Sequence, residues 1–266
     1  MIDFEEKVAL VTGAASGIGA SLSAALADRG AQVICVDLDS EGVSQIAQEI
    51  GGEAQAVVCD LSDPSAAEGL IDQAYAIAGR LDLVCSNAGI GYQRSLASAT
   101  FEGDDSMSRL FEINFFAGLK LAQAYTRRLD KAGERGRFMV TASENSLSVP
   151  HAVRKGELPF YAATKHALLV AMEWIRIEQE QGPLDLHVLL PGAVYTPLIG
   201  SKKFDPSQAP PELELIMPEQ CAEIALRGMD LGLFYIPTQA HLLDDMKPRM
   251  NEVENSLKAL AIEKSY

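Results

Sequence analysis

Lys7-Val8-Ala9-Leu10-Val11-Thr12 runs without a break into Gly13-Ala14-Ala15-Ser16-Gly17-Ile18-Gly19 (KVALVTGAASGIG, residues 7–19). The first six residues are a short apolar run rich in Val and Leu, which reads as a buried strand. A helical stripe follows in Ile18, Leu22, Ala25 and Leu26, and Gly30 stops it. Strand, glycine loop and helix therefore follow one another within the first thirty residues or so. Gly13 suits a tight turn out of the strand, because glycine enters the left-handed region at little cost. Gly17 and Gly19 remove side chains where a packed helix and a ligand must come close.

The same alternation continues along the chain. Gln32 to Val36 is a second buried strand, closing on Asp37. Ser40 to Ile50 reads as a helix opened by a Ser cap and stopped by Gly51-Gly52. Ala54 to Cys59 is a third strand and Asp63-Pro64 opens the next helix, to about Gly79. Leu81 to Ser86 is a fourth strand, followed by Asn87-Ala88-Gly89. A long helix is expected from Ser106 to Lys131, a strand from Arg137 to Ala142 and a helix from Tyr161 to Gln181. Leu184 to Leu190 is a strand, Pro218 to Asp230 a helix, and Phe234 to Ile236 a short strand. Gln239 to about Ile262 reads as a polar, amphipathic tail helix. Strands and helices alternating in this way mean βαβ units. The expected class is α/β, a doubly wound parallel sheet of about seven strands, in one domain over residues 1–266. Strands apolar on both faces agree with a sheet covered on both sides.

Composition narrows the function. Of 266 residues, 48% are hydrophobic and 22% charged, so the chain can bury a sizeable core and is not of disordered type. The formal charge is −15, from 37 acidic and 22 basic residues. That speaks against nucleic acid, which needs a basic face, and against anionic lipid. Cys35, Cys59, Cys85 and Cys221 form no C-x-x-C pair and read as reduced thiols of a cytoplasmic protein. The N-terminal Met1-Ile2-Asp3-Phe4-Glu5-Glu6 lacks an apolar signal region, and no apolar run reaches the ~18 residues of a membrane span. His151, His166, His187 and His241 show no ligand spacing, so no metal is expected.

The loop and the second strand together suggest a dinucleotide. A helix N-terminus offers free N–H groups and partial positive charge to a pyrophosphate, with Gly13, Ser16, Gly17, Ile18 and Gly19 around it. Asp37, at the end of the second strand, can accept hydrogen bonds from the ribose hydroxyls of NAD and repels a 2′-phosphate. Leu38 follows it, and no Arg or Lys lies in the loop or beside Asp37, so NAD is favoured over NADP. Asp60 ends the third strand within reach of an adenine, with Leu61 beside it. Asn87, leading Ala88 and Gly89, either holds the fourth strand's end beside the cofactor or serves the turn.

Tyr161-Ala162-Ala163-Thr164-Lys165 places a phenol and an ammonium four residues apart, on one face of a helix. A free phenol titrates near pH ~10 and is a poor base at neutral pH. A neighbouring cation favours its ionised form. Taken alone, the pair reads first as a surface coincidence.

These segments occur in an order that resembles the short-chain dehydrogenase/reductase family in its short, single-domain, Rossmann-type form. The resemblance rests on TGAASGIG at 12–19, NAG at 87–89, Asn114, Ser143, YAATK at 161–165 and PGAVYTP at 191–197, and spans roughly residues 5 to 200. It implies an NAD-dependent enzyme that interconverts a secondary alcohol and a ketone. Tyr161 is then the acid/base, and Lys165 lowers its pKa and bonds the nicotinamide ribose. Ser143 bonds the substrate oxygen, and Asn114 kinks its helix and holds a water leading out from Lys165. Pro191, Gly192, Val194 and Thr196 lie against the nicotinamide, the last two fixing its carboxamide. A non-catalytic NAD-binding regulator would not need Ser143, Tyr161 and Lys165 together. The missing second domain disfavours a sugar-nucleotide epimerase.

Three departures from the family pattern stand out. No glycine follows Ser143 at the usual place, so Ser146 and Ser148 are rival candidates. Tyr161 lies eighteen positions after Ser143, and the surplus at His151–Pro159 either shapes substrate entry or is a tolerated surface loop. The charged tail, about 239–266, replaces the ending that builds many tetramers. A homodimer through the two long helices, or a homotetramer, is the expected assembly. Residues of about 197–217, with Leu198, Ile199, Phe204, Leu213, Leu215 and Ile216, read as a lid over a mainly apolar alcohol or ketone, Tyr92 and Phe101 lining the other wall. A steroid, an aromatic alcohol and a dihydrodiol all fit. Trp174 reads as packing, and Arg127-Arg128 as solvated surface.

Overall fold

The computed structural model describes residues 2–93, 95–98, 105–150, 158–199 and 205–262. Seven strands form one sheet: β1 Val8–Thr12, β2 Gln32–Asp37, β3 Gln55–Val58, β4 Leu83–Ser86, β5 Gly136–Thr141, β6 Leu184–Leu190 and β7 Tyr235–Pro237. All are parallel, in the order β3-β2-β1-β4-β5-β6-β7. Helices α1 Gly17–Asp28, α2 Ser40–Ile50, α3 Ala66–Ala78, α4 Ser106–Phe111, α5 Ala117–Ala132, α6 Pro159–Glu178, α7 Pro218–Asp230 and α8 Leu242–Ala259 connect and follow them.

Alternation along each strand sends side chains to two cores. On β1, Val8 and Leu10 join the core beneath α3, α5 and α6, with Leu121, Tyr125 and Leu168. Ala9 and Val11 join the core beneath α1 and α7, with Leu22, Leu26 and Leu226. Strand order reverses between β1 and β4, so the connections leave to opposite faces and a crevice opens at the strands' C-terminal ends.

Several boundaries differ from the sequence reading, each for a local reason. Asp39, not Ser40, caps α2, because its carboxylate accepts from the Gly42 N–H at 3.1 Å. Asp63 spends its carboxylate on Ser65, and α3 begins only at Ala66. Helix α6 starts at Pro159, where proline's missing N–H costs nothing. The tail helix starts at Leu242 rather than Gln239, and from Arg249 to Ile262 every residue is exposed. Trp174, expected to pack, is 61% exposed. Arg128 is not simply solvated: its guanidinium lies over the Tyr75 ring at 4.2 Å. Phe101, residues 151–157, the Lys202-Lys203 pair and Phe204 lie outside the described residues. Among the described residues no helix is long and apolar enough to cross a membrane.

Candidate active site

The glycine loop sits at the reversal point. Gly13 (φ +69°) and Gly17 (φ +55°) are both left-handed. A side chain at Gly19 would stand 2.0 Å from the Gly13 carbonyl oxygen, so the first turn of α1 closes on the loop only with glycine there. A side chain at Gly17 would stand 2.9 Å from Thr196. The loop is thereby a bare cradle at a helix N-terminus that the Ser16 side chain does not cap.

Asp37 both faces the cavity and holds the loop: one carboxylate oxygen accepts from the Ala15 N–H at 3.0 Å and the other from the Asp39 N–H at 3.0 Å. Asn87 resolves into a joint between three strands. Its backbone N–H donates to Thr12 Oγ1 at 3.0 Å, its amide to the Thr12 carbonyl at 3.2 Å, and its Oδ1 accepts from Thr141 Oγ1 at 3.0 Å. It still faces the same cavity, so turn and site roles coincide.

Asn114 lies in a π-helical turn, Glu112–Phe116, between α4 and α5. Its Oδ1 accepts from the Ile90 N–H at 2.8 Å, and its amide donates to the Ile90 carbonyl at 2.9 Å and to Thr164 Oγ1 at 3.3 Å. One side chain therefore braces the segment after β4 against α6.

Tyr161 and Lys165 lie on the inner face of α6, both buried. The Lys165 ammonium donates to the Thr141 carbonyl at 2.8 Å and lies 5.6 Å from the centre of the Tyr161 ring. Burial pulls its pKa down to about 8. The sequence reading expected the ammonium to lower the phenol. In the structure burial dominates and pushes Tyr161 up to about 12; a hydrogen bond with Ser143 works against that and the charge of Glu144 works with it.

Ser143 accepts from the Asn145 backbone at 3.1 Å and from its side chain at 3.2 Å. Its rivals differ in placement: the buried hydroxyls of Ser146 and Ser148 find no partner among the described residues, and neither lines the cavity.

These groups surround one cavity of about 980 Å³. Gly13, Ser16, Gly17, Ile18, Asp37 and Asn87 to Gly89 line it together with Ser143, Tyr161, Lys165, Pro191, Gly192, Val194 and Thr196. Leu198, Ile199 and Leu213 supply an apolar wall. Val194 is bridged to Ile216, which ties the 191–197 segment to the chain ahead of α7. Gly19 and Asn114 support the wall from behind. Leu38, Asp60 and Leu61 lie outside it: Leu38 is exposed, Asp60 bonds Ser62, and Leu61 leans on the core. Tyr92, expected on the wall, packs against Phe160 at 5.9 Å between ring centres. Sequence reasoning missed Thr12, Thr141 and Glu144. The two threonines are strand-end residues whose role appears only once β1, β4 and β5 are side by side.

The fold and this cavity define a Rossmann-type nucleotide-binding protein with a Ser–Tyr–Lys set at one end of its cleft. Comparison with known proteins agrees. The model of the short chain dehydrogenase family matches residues 7–206. 1-Deoxy-11-beta-hydroxypentalenate dehydrogenase of Streptomyces avermitilis is 32% identical over 252 residues, 94% of this chain and 90% of that one. D-threitol dehydrogenase of Mycolicibacterium smegmatis is 31% identical over 75% of this chain and 74% of that one. A short-chain dehydrogenase/reductase from Burkholderia phymatum, solved with NAD, superposes with a TM-score of 0.83 over 96% of this chain and 97% of that one, at 21% identity. An alcohol dehydrogenase from Thermococcus sibiricus, complexed with 5-hydroxy-NADP, has a TM-score of 0.73 over 87% of this chain and 95% of that one, at 26% identity. The chain belongs to the short-chain dehydrogenase/reductase family of oxidoreductases.

Proposed function

We propose that this protein is an NAD-dependent dehydrogenase/reductase that interconverts a secondary alcohol and a ketone. The observation that carries the reading is the convergence of Ser143, Tyr161 and Lys165 on the cavity that the glycine cradle and Asp37 also line. The cradle fits a dinucleotide, since three glycines leave a helix N-terminus bare and the cavity is large enough for cofactor and substrate together. The bound nicotinamide supplies or accepts the hydride.

The chain's own residues do the rest. Ser143 donates to the substrate oxygen and holds it beside the phenol. Tyr161 Oη takes the hydroxyl proton in oxidation and returns it in reduction. Lys165, anchored on Thr141, keeps a positive charge near the phenol and favours its ionised form. Asn114 holds the Ile90 segment that walls the site. Asp37 presents a carboxylate where the adenine ribose would lie and repels a 2′-phosphate, which selects NAD over NADP. Leu198, Ile199 and Leu213 favour an apolar substrate. The hydroxypentalenate and threitol dehydrogenases differ in substrate polarity by name, and a CH–OH group is what those names share.

A second copy of the chain covers α6 in this reading. Val170, Trp174 and Ile177 form an exposed apolar stripe there, 53%, 61% and 65% accessible, at the three-and-four spacing of one helix face. A screen of secondary alcohols with NAD and NADP, read as the absorbance of the reduced nicotinamide, tests the function. No turnover with any secondary alcohol or ketone sinks it.

A further inference from the structure

His241 belongs to none of the motifs above. It stands at the N-cap of α8, and its Nε2 is 2.8 Å from Oε2 of Glu144, the residue after Ser143. Its Nδ1 is 3.1 Å from Oε2 of Glu214, in the segment ahead of α7. Asp245, one turn along α8, places a carboxylate oxygen 3.9 Å from Nε2. Three stretches far apart in the chain thus meet on one imidazole. Two of them reach the cavity, through Glu144 and through Leu213.

The joint is built rather than incidental. Gln239 accepts from the Gly192 N–H at 2.7 Å and donates to the Ala193 carbonyl at 3.0 Å, and the Ala240 N–H donates to Glu214 at 3.2 Å. A side chain at Gly192 would stand 2.7 Å from both Gln239 Oε1 and Glu144 Oε2, so glycine there gives the joint its room. Glu144 is only 4% exposed. Burial pushes its pKa up, and the paired histidine opposes that. A buried carboxylate without a partner is costly, and beside an acid/base it repels the phenolate.

We propose that His241 is a positioning residue, which clasps the Ser143 loop to the wall segment at Glu214 and partners Glu144 beside Tyr161. The proposal rests on the oxidoreductase reading. The groups that set the charge of His241 are Glu144 from the catalytic loop, Glu214 from the wall and Asp245 from its own helix. Partial burial works to lower its pKa, and the carboxylates of Glu144 and Glu214 together outweigh that and raise it above the ordinary imidazole value. The hydrogen bond from the ring to Glu144 draws the carboxylate's charge away from Tyr161, so Tyr161 loses its proton at lower pH than it would beside an unpartnered Glu144. The 3.1 Å ion pair with Glu214, which lacks hydrogen-bond geometry, ties the wall segment to His241.

The test is the full chain carrying His241→Ala, assayed with a secondary alcohol and NAD across roughly pH 6 to 10. The rising limb of kcat should move upward by about half to one pH unit, and KM for the alcohol should rise about threefold to tenfold. KM for NAD should stay unchanged. Adding Glu144→Gln to His241→Ala should return the limb to its wild-type position and leave the alcohol KM high. Glu214→Gln should raise that KM without moving the limb. If His241→Ala fails to fold, His241→Gln, which keeps a donor toward Glu144, should hold the limb nearer its wild-type position while KM for the alcohol still rises. An unmoved limb and KM with only a lower Tm makes His241 a structural joint and overturns the proposal. A readout free of turnover is the NMR titration of the His241 ring. Its pKa should lie above that of a free imidazole and fall in Glu144→Gln; no fall overturns the proposal. If the ring behaves so but no alcohol is turned over, the oxidoreductase reading fails and the clasp stands.

Discussion

The Lys165 ammonium donates to the Thr141 carbonyl at 2.8 Å, which anchors a side chain of α6 at the C-terminal end of β5. Burial brings its pKa from 10.5 to about 8. Between those values the unfolded chain holds a proton that the folded protein does not, so stability rises with pH across the window. Below the folded value the cost of the buried charge is present in full. Thermal melts of wild type and Lys165→Met between about pH 8 and 10 should show wild type gaining relative to the variant. A difference that stays flat with pH would mean the ammonium is not buried.

Tyr161→Phe removes the proton donor and keeps the ring that packs in the cavity. NAD binding, read by calorimetry, should be close to wild type. Turnover should fall by about 10²- to 10⁴-fold, the usual weight of a positioned acid/base. A rate near wild type would take Tyr161 out of the mechanism.

Asp37 has two jobs that two substitutions separate. Asp37→Asn keeps an acceptor for the Ala15 N–H but loses the charge. Its NAD affinity should drop about tenfold and its preference over NADP should narrow. Asp37→Ala also strips the loop of that acceptor, so both cofactors should bind more weakly. Unchanged preference in both variants would sink the ribose assignment.

Asn114→Ala leaves the Ile90 N–H and carbonyl without their side-chain partner. Unpaired groups of this kind cost about 1–3 kcal/mol in stability. Denaturant unfolding should show that loss, and kcat should fall with it, because the segment after β4 is no longer braced against α6. A variant as stable as wild type would show the brace to be dispensable.

Trp174→Glu puts a charge in the middle of the exposed α6 stripe. Gel filtration should show a smaller species than wild type, with circular dichroism unchanged, since Trp174 is 61% exposed. Identical elution volumes would remove α6 as the self-association face.

Much of the fold was legible because its signals are local. Apolar runs such as Lys7–Thr12 and Leu184–Leu190 read as strands at sight; the second occurs as read and the first begins one residue later, at Val8. The glycines of 13–19 stood between strand and helix, and a positive φ at Gly13 and Gly17 follows from that place. Boundaries failed where a side chain decided them. Asp39 outcompetes Ser40 as a cap, and Asp63 turns back on Ser65 before α3 can start. Trp174 looked like core because periodicity reports an apolar face and not what covers it.

The residue types of the site were also legible: Ser143, Tyr161 and Lys165 each carry chemistry, and their order along the chain resembled a family. Sequence by itself determined the alternating fold, the glycine cradle, the carboxylate at Asp37 and the spacing of Tyr161 from Lys165. Those depend on neighbours within a few residues, where backbone sterics and helical period act. Tertiary structure alone decided which serine faces the cavity, that burial dominates the Tyr161 phenol, and that His241 reaches Glu144 across ninety-seven positions. Desolvation and long-range pairing depend on what the folded chain packs around a group.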